Sequence, residues 1–392
     1  MKILFLSRWF PFPANNGSKL RVYNLLRGLA EHHNVTLVSF VDHTNIGVDL
    51  SEARLLCSDV HVIPWRDFNP NSRKARLGFL NLTPRFLLDT YSEQMETTIR
   101  EMISSKPFDL VIASGLSMAS YYLSFGNVPA MFEEIELGLF HDEMAYAKNM
   151  NKRIRLGLTW HKLQRYLSHI IESFSICTVV SERERQLFIS NFPTHKEKVT
   201  VLPNCVTFDE YQGLSVSSVS NQLIFSGPFR YRVNYDAMQW FIGEVYPIIL
   251  DKMPETCLII TGDHENLPLP SAPNITLTGY VDDIKPLIAS SRISIAPLLT
   301  GGGTRLKILE AMALGTPVVS TSKGAEGLDA IRDKQILIAD SPNAFASQVI
   351  RILKDGELYK NLSNNGKSFV KENYNWQSML PRFMRLAEKI VT

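Results

Sequence analysis

The stretch LLTGGGTRLKILEAMALGTPVVST, Leu298 to Thr321, places three consecutive glycines at the mouth of an amphipathic charged segment and follows it with Gly315, Pro317 and a β-branched run. Upstream, ISIAPL reads as a strand, LTGGG as a loop and TRLKILEAMAL as a helix. Thr304 is a candidate N-cap, and Gly315 stops the helix before Thr316-Pro317. PVVST is the next strand. Strand, glycine loop, helix and strand make one unit of a parallel α/β sheet, so the rest of the chain is searched for the same alternation.

It is there from end to end. KILFLS, the loop RWFPFPANNG, the helix SKLRVYNLLRGLAE with Leu20, Leu25, Leu26 and Leu29 on one face, and NVTLVSF form the first unit. Asn16 or Ser18 can cap that helix. Further strands are expected at VHVIP, DLVIAS, PAMFEE, SICTVVS and VTVLPN, with a long helical region from about Leu139 to Ser173. Val206 to Asn221 is polar and aperiodic and reads as a linker. The alternation then restarts with NQLIFSG, CLIITGD, ITLTGY, ISIAPL, PVVST and ILIA, near-continuously apolar as buried parallel strands are. The last segment, NYNWQSMLPRFMRLAEKIV, is helical in period. The fold class is α/β with two Rossmann-like doubly wound domains. Residues 1–205 form the first domain and 206–373 the second, with a helix at about 374–392 packing back on the first. Ligands of such sheets gather at the carboxyl ends of strands, here in a cleft between the domains.

Bulk properties exclude several classes. At 392 residues, with 45% hydrophobic and 20% charged residues, the chain suits two ordered domains and no disordered tail. A net charge of +2 is not the footprint of a nucleic-acid binder. Cys57, Cys177, Cys205 and Cys257 lack metal or disulfide spacing, which fits a reducing compartment. Arg8 interrupts the first apolar run too early for a signal-peptide core, and no run of about 18 to 20 apolar residues spans a bilayer. The expected location is cytoplasmic.

The glycine loop lets backbone N–H groups approach an anion at the positive end of a helix dipole. Arg305 and Lys307 lie where that dipole disfavours cations unless an anion offsets them. Glu310 follows Lys307 by three residues. One reading is an intrahelical salt bridge; the other puts Arg305 and Lys307 on a diphosphate, with Glu310 accepting hydrogen bonds from ribose hydroxyls.

GGGTRLKILEAMALGTPVVST resembles the donor-binding signature of retaining glycosyltransferases of family four, which have the two-domain GT-B fold. The resemblance extends through MKILFLSRWFPFPANNGSKLRVYNLLRGLAEHHNVTLVSF, FDLVIASG, VVSERERQLF, the VLPN hinge, LIFSGPFRYRVNYDAMQWF, LIITGD and LTGYVDDIKPLIASSRISIAPL. It implies transfer of a sugar from a nucleotide-diphosphate sugar, such as a UDP- or GDP-sugar, to an acceptor hydroxyl with retention. Domain closure assembles the site, and the leaving diphosphate helps take the acceptor proton.

Residue by residue, Glu310 matches the second acidic signature position, expected on the ribose. The first acidic position is Gly302, so backbone N–H groups of Gly302, Gly303 and Thr304 stand in for a carboxylate on the donor sugar. Gly227 matches a glycine usually followed by Arg; Pro228 stands there instead, leaving Arg230 or Arg232 as the cation. Gly17 and Ser18 match a turn facing the donor, and are also simply a turn and a cap. Tyr280 and Val281 begin the loop whose backbone reads the base, with Asp282 or Asp283 able to cap the next helix. In MFEEIELGLF, Glu133 and Glu134 occupy the places of a frequent His-Asn pair, with Glu136 matching the family Glu. Glu133 is a candidate to position an acceptor hydroxyl, and a solvated strand end is the plainer alternative.

No cofactor and no metal are expected, since no DxD-like site with supporting ligands is recognisable. The expected partners are the nucleotide sugar and a saccharide or lipid-linked acceptor, without nucleic acid. Lys148, Lys152, Arg153, Arg155, Lys162 and Arg165 among apolar residues make a basic amphipathic segment, either a solvated face or a peripheral contact with the inner face of a membrane. The resemblance implies cell-envelope polysaccharide or glycolipid assembly. Rival readings are a nucleotide-sugar epimerase on the same fold, or a non-catalytic sugar-nucleotide-binding protein suggested by Gly302.

Overall fold

The structure, a computed structural model, describes residues 1–42, 48–147, 149–214 and 216–391. The chain divides into two compact units, Met1–Asn204 with Met379–Thr392, and Cys205–Ser378.

The first unit is built on β1 (Lys2–Ser7), β2 (Asn34–Asp42), β3 (Asp59–Trp65), β4 (Leu110–Ser114), β5 (Ala130–Glu133), β6 (Ile176–Val179) and β7 (Val199–Val201), in the order β3-β2-β1-β4-β5-β6-β7. Every pairing is parallel. Helices cover both faces, so Ile3, Leu4, Phe5 and Leu6 are all fully buried whichever way they point. Each such side chain contributes about 1.5–3 kcal/mol. The helix Gly17–Ala30 starts under Asn16, whose Oδ1 accepts from the Lys19 N–H at 3.0 Å. The long helical region is two helices, Gly138–Ala145 and Met150–Ile170, the second capped by Asn149. Lys148 lies outside the described residues.

The second unit has β8 (Val219–Ser226), β9 (Cys257–Thr261), β10 (Ile275–Gly279), β11 (Ser291–Ala296), β12 (Val318–Ser320) and β13 (Leu337–Ile338), in the order β10-β9-β8-β11-β12-β13 and again parallel. The segment read as a linker is partly built into this unit. Phe208–Tyr211 forms a 3₁₀ turn, Phe208 is buried, and Val206 bridges to Asn375. The final helix runs Trp376–Val391, with Phe383 buried and Leu380 against Gly28 of the first unit.

Each strand order reverses once, between β1 and β4 and between β8 and β11. At such a point the loops leaving two neighbouring strands diverge to opposite faces and leave a crevice at their carboxyl ends.

Candidate functional site

In the second unit that crevice lies where β8 ends at Ser226 and β11 ends at Ala296. Gly227 follows β8 with φ 144°, and a Cβ there would lie 2.6 Å from the Asn234 amide and 3.0 Å from Lys307 Nζ. The backbone passes a part-buried polar pair at a distance that a side chain would fill. Opposite, the turn after β11 is bent by Gly301 at φ 94° and Gly303 at φ 79°, conformations that L side chains rarely adopt.

The helix after this turn runs Leu306–Ala313, and Thr304 does not cap it. Arg305 has φ −82° and ψ 80°, and the Leu306 N–H donates to the Thr304 carbonyl at 3.1 Å, which together make an inverse γ-turn. The turn spends on backbone the N–H that a cap would have used. The Thr304 hydroxyl and Arg305 Nε are left buried without hydrogen-bond partners. Arg305 otherwise reaches the Thr300 carbonyl at 3.4 Å.

Lys307 makes no salt bridge with Glu310. Its Nζ donates to Asn234 Oδ1 at 2.9 Å and sits 4.3 Å from the centre of the Phe225 ring. Burial, with Arg305 beside it, lowers its pKa to about 7, Glu310 opposing the shift. Burial likewise lowers that of Arg305. Glu310 accepts from the Tyr211 hydroxyl at 3.3 Å. Burial raises its pKa against the pull of Tyr211, Lys307 and Lys285. Gly227, Gly301, Gly302, Gly303, Thr304, Arg305, Lys307 and Glu310 thus share one crevice floor, with two side chains that the sequence did not single out. Asn234 opens a helix in the stretch RVNYD, with no spacing to mark it. Tyr211 lies in the aperiodic segment read as linker.

Other expected residues sit apart from this cluster. Arg230 is exposed, its guanidinium 5.3 Å from the Tyr231 ring, and Arg232 pairs with Asp236 at 2.9 Å. The side chain that meets Lys307 is the Asn234 amide and neither arginine. Tyr280 is exposed and Val281 half-buried, in the loop before the helix Lys285–Ser290, whose Lys285 N–H donates to Asp283 Oδ1 at 3.1 Å.

In the first unit, Gly17 and Ser18 open the helix that follows β1. Glu133, at the end of β5, is fully buried, so the solvated strand end weighed as the plainer alternative to an acceptor-positioning carboxylate does not hold. Arg21 Nε donates to Glu133 Oε1 at 2.7 Å and Ser114 Oγ donates to Oε2 at 2.6 Å, so both carboxylate oxygens are engaged. Arg21 also donates to Asn204 Oδ1 at 2.9 Å and the Leu202 carbonyl at 3.0 Å. The partly open carboxyl is Glu134, 18% exposed, with φ 60°, its Oε1 3.7 Å from Arg21 Nε and its N–H on Thr178 Oγ1. Burial first, then Glu133 and Glu136, push its pKa to about 8 against the pull of Arg21.

Among the described residues no group of three or more His, Cys, Asp or Glu side chains is placed to hold a metal ion.

Residues 220–355 match the model of the family described as glycosyl transferases group 1. An uncharacterized 44.6 kDa protein in the cps region of Klebsiella pneumoniae is 23% identical over 390 residues, covering 95% of this chain and 96% of that protein. An uncharacterized glycosyltransferase of Methanocaldococcus jannaschii is 31% identical over 121 residues, 30% of this chain and 31% of that one. Among solved structures, Anabaena HepE in complex with UDP matches with a TM-score of 0.65 at 14% identity, covering 99% of this chain and 100% of that chain. A glycosyltransferase from Rickettsia africae matches at 0.67 and 15%, covering 100% and 98%. At these identities the structural likeness concerns fold, which is GT-B.

Proposed function

We propose that this chain, whose residues 220–355 match the model of the glycosyl transferases group 1, moves a sugar from a nucleotide-diphosphate sugar to an acceptor hydroxyl with retention of configuration. The observation that carries this reading is the triple-glycine turn, where two cations converge while a buried hydroxyl and a buried guanidinium N–H lack partners. A diphosphate supplies what that arrangement lacks: acceptors for the orphaned groups and negative charge for Arg305 and Lys307. The UDP bound to Anabaena HepE, a protein of the same fold, supports a diphosphate of this kind.

In this reading the protein's work is electrostatic. Arg305 and Lys307 stabilise the charge that grows on the departing diphosphate, and the N–H groups of Gly302, Gly303 and Thr304 face the donor sugar. Glu310, held by Tyr211, accepts from ribose hydroxyls. The backbone of Tyr280 and Val281 reads the base. Arg230 contributes long-range charge from its exposed position, and Gly17 and Ser18 face the donor from their own helix N-terminus. Glu133 serves as an anchor for Arg21 and does not touch sugar. No metal or cofactor takes part; the acceptor is a saccharide or lipid-linked glycan of envelope polysaccharide assembly, met in the cytoplasm at the inner face of a membrane. The Klebsiella relative, a protein of a cps region, supports that setting.

The test is a screen of nucleotide-diphosphate sugars by thermal shift, followed by transfer to saccharide and lipid-linked acceptors, with the product anomer read by NMR. Retention in the presence of a chelator is expected, with Arg305→Ala/Lys307→Ala folded and inactive. Unchanged turnover in that double variant overturns the assignment. Binding without transfer to any acceptor favours the non-catalytic reading that Gly302 suggests.

A further inference from the structure

Two neighbouring elements of the first unit carry a pattern that sugar transfer does not use. Residues 68–88 contain Arg73, Lys74, Arg76 and Arg85 and no Asp or Glu; the helix Met150–Ile170 contains Lys152, Arg153, Arg155, Lys162 and Arg165 and again no Asp or Glu. These nine cations belong to a chain whose net charge is only +2. The two elements touch, because Lys162 Nζ donates to the carbonyls of Gly78 and Phe79 at 3.0 and 2.8 Å.

The same two elements expose apolar side chains where a soluble surface would bury or replace them. Past the short helix Arg73–Leu77 the chain closes a turn through Phe79 N–H to the Arg76 carbonyl and Leu80 N–H to the Leu77 carbonyl. That turn leaves Leu80 93% exposed, with Leu77, Phe79 and Leu82 all more than half exposed around it. Arg85 stacks 3.8 Å from the Phe79 ring centre, so charge sits directly behind the apolar tip. On the helix, Met150, Ile154 and Leu158 recur at four-residue intervals and are likewise mostly exposed. Lys162 continues the row at the same interval and joins it to the turn.

We infer that this face, the 68–82 turn with the Met150–Ile170 helix, is a docking surface for an anionic lipid bilayer, with the leucines and Phe79 entering the headgroup boundary and the exposed Arg73, Arg76, Arg153 and Arg155 meeting lipid phosphates. Contiguous apolar exposure marks an interaction surface, and its basic surround selects the occupant. Protein interfaces are depleted in lysine at their centres. A nucleic-acid backbone gains nothing from a protruding Leu80. An amphipathic helix with a basic polar side lies in the plane of an anionic interface, and no helix among the described residues is long and apolar enough to cross one. This deepens the part of the proposed function that puts the protein at a membrane, and its test does not depend on sugar transfer.

The test is co-sedimentation of the full chain with vesicles of phosphatidylcholine alone and of phosphatidylcholine mixed with phosphatidylglycerol, at low and high salt. Binding to the mixed vesicles only, weakening as salt rises, is expected. Each neutralised cation near such a surface should cost about fivefold in partitioning, so Arg73→Gln/Arg76→Gln/Arg153→Gln/Arg155→Gln should lose on the order of a hundredfold or more. Leu80→Asp, at a side chain that packs on almost nothing, should bind weakly while keeping the parent melting temperature. Four results overturn the inference: no vesicle binding at low salt, equal binding to both vesicle types, parent-like binding by both variants, or capture of a DNA duplex in place of vesicles. Nucleotide binding measured on the same variants keeps this outcome separate from the fate of the proposed function.

Discussion

Lys307 stands in a place that works against its own charge. Burial and Arg305 bring its pKa down to about 7, so the folded state binds the proton less readily than the unfolded chain. Its contribution to stability is present above the unfolded value of 10.5 and is lost as pH falls through about 7. Lys307→Met should therefore leave the melting temperature unchanged or higher at neutral pH, while nucleoside diphosphate binding weakens about tenfold to a hundredfold. Differential scanning calorimetry with and without the nucleotide checks both halves. Glu310→Gln separates the two ends of the ligand: affinity for a nucleoside diphosphate should fall by about tenfold, while inorganic pyrophosphate binding holds, as competition titrations would show. Lys307 and Arg305 were legible because cations beside a glycine loop conflict with the helix dipole, and Glu310 because it follows Lys307 by three residues and matches the acidic position of the resembled signature. Asn234 and Tyr211 were not, because what marks them is a contact across the fold and neither lies in a pattern of spacing.

Among elements, strands were the most legible and the turns between them the least. KILFLS or ISIAPL can only be a strand buried on both sides, whereas the short helices at Ser51–Leu56, Arg73–Leu77 and Arg85–Thr90 span too few residues for a 3.6-residue period to show. The cap assigned to Thr304 failed because the γ-turn at Arg305 depends on the glycines before it, a backbone property invisible in composition. Gly303→Ala, forcing a side chain to φ 79°, should cost about 1 kcal/mol of stability and a larger factor in nucleotide affinity, measurable by denaturant titration and binding. In the first unit, Arg21 ties the first helix to β5 and to the chain after β7 through Glu133, Asn204 and Leu202. Arg21→Met leaves a fully buried carboxylate without its cation and should cost about 3–5 kcal/mol, much of it recovered in Arg21→Met/Glu133→Leu. Equal stability of the single variant and the parent would show that the pair holds nothing together.

Across the molecule, Glu134 in the first unit and Lys307 in the second contribute to stability with opposite pH dependence. Glu134 in the first has its pKa raised from 4.5 to about 8, so its contribution is fully present below 4.5 and is lost as pH rises through about 8. Lys307 in the second acts in the reverse sense over a higher range. Glu134→Gln should flatten the stability profile between those two values, in a pH series of melting curves. The sequence disclosed the two-sheet architecture because parallel strands and crossover helices repeat along the chain. It disclosed the glycine loop at the carboxyl end of ISIAPL, while the reversal of strand order at that loop came only with the structure. What it hid was charge distribution: a net +2 conceals nine cations in two touching elements that carry no Asp or Glu. The central claim, that a diphosphate occupies the triple-glycine turn on Arg305 and Lys307, is tested most directly by isothermal titration calorimetry of UDP or GDP at about pH 8, in two buffers of different ionisation heat. Binding accompanied by proton uptake, with both uptake and affinity lost in Lys307→Met, is the predicted result; equally tight binding by that variant, or binding with no proton taken up, would contradict it.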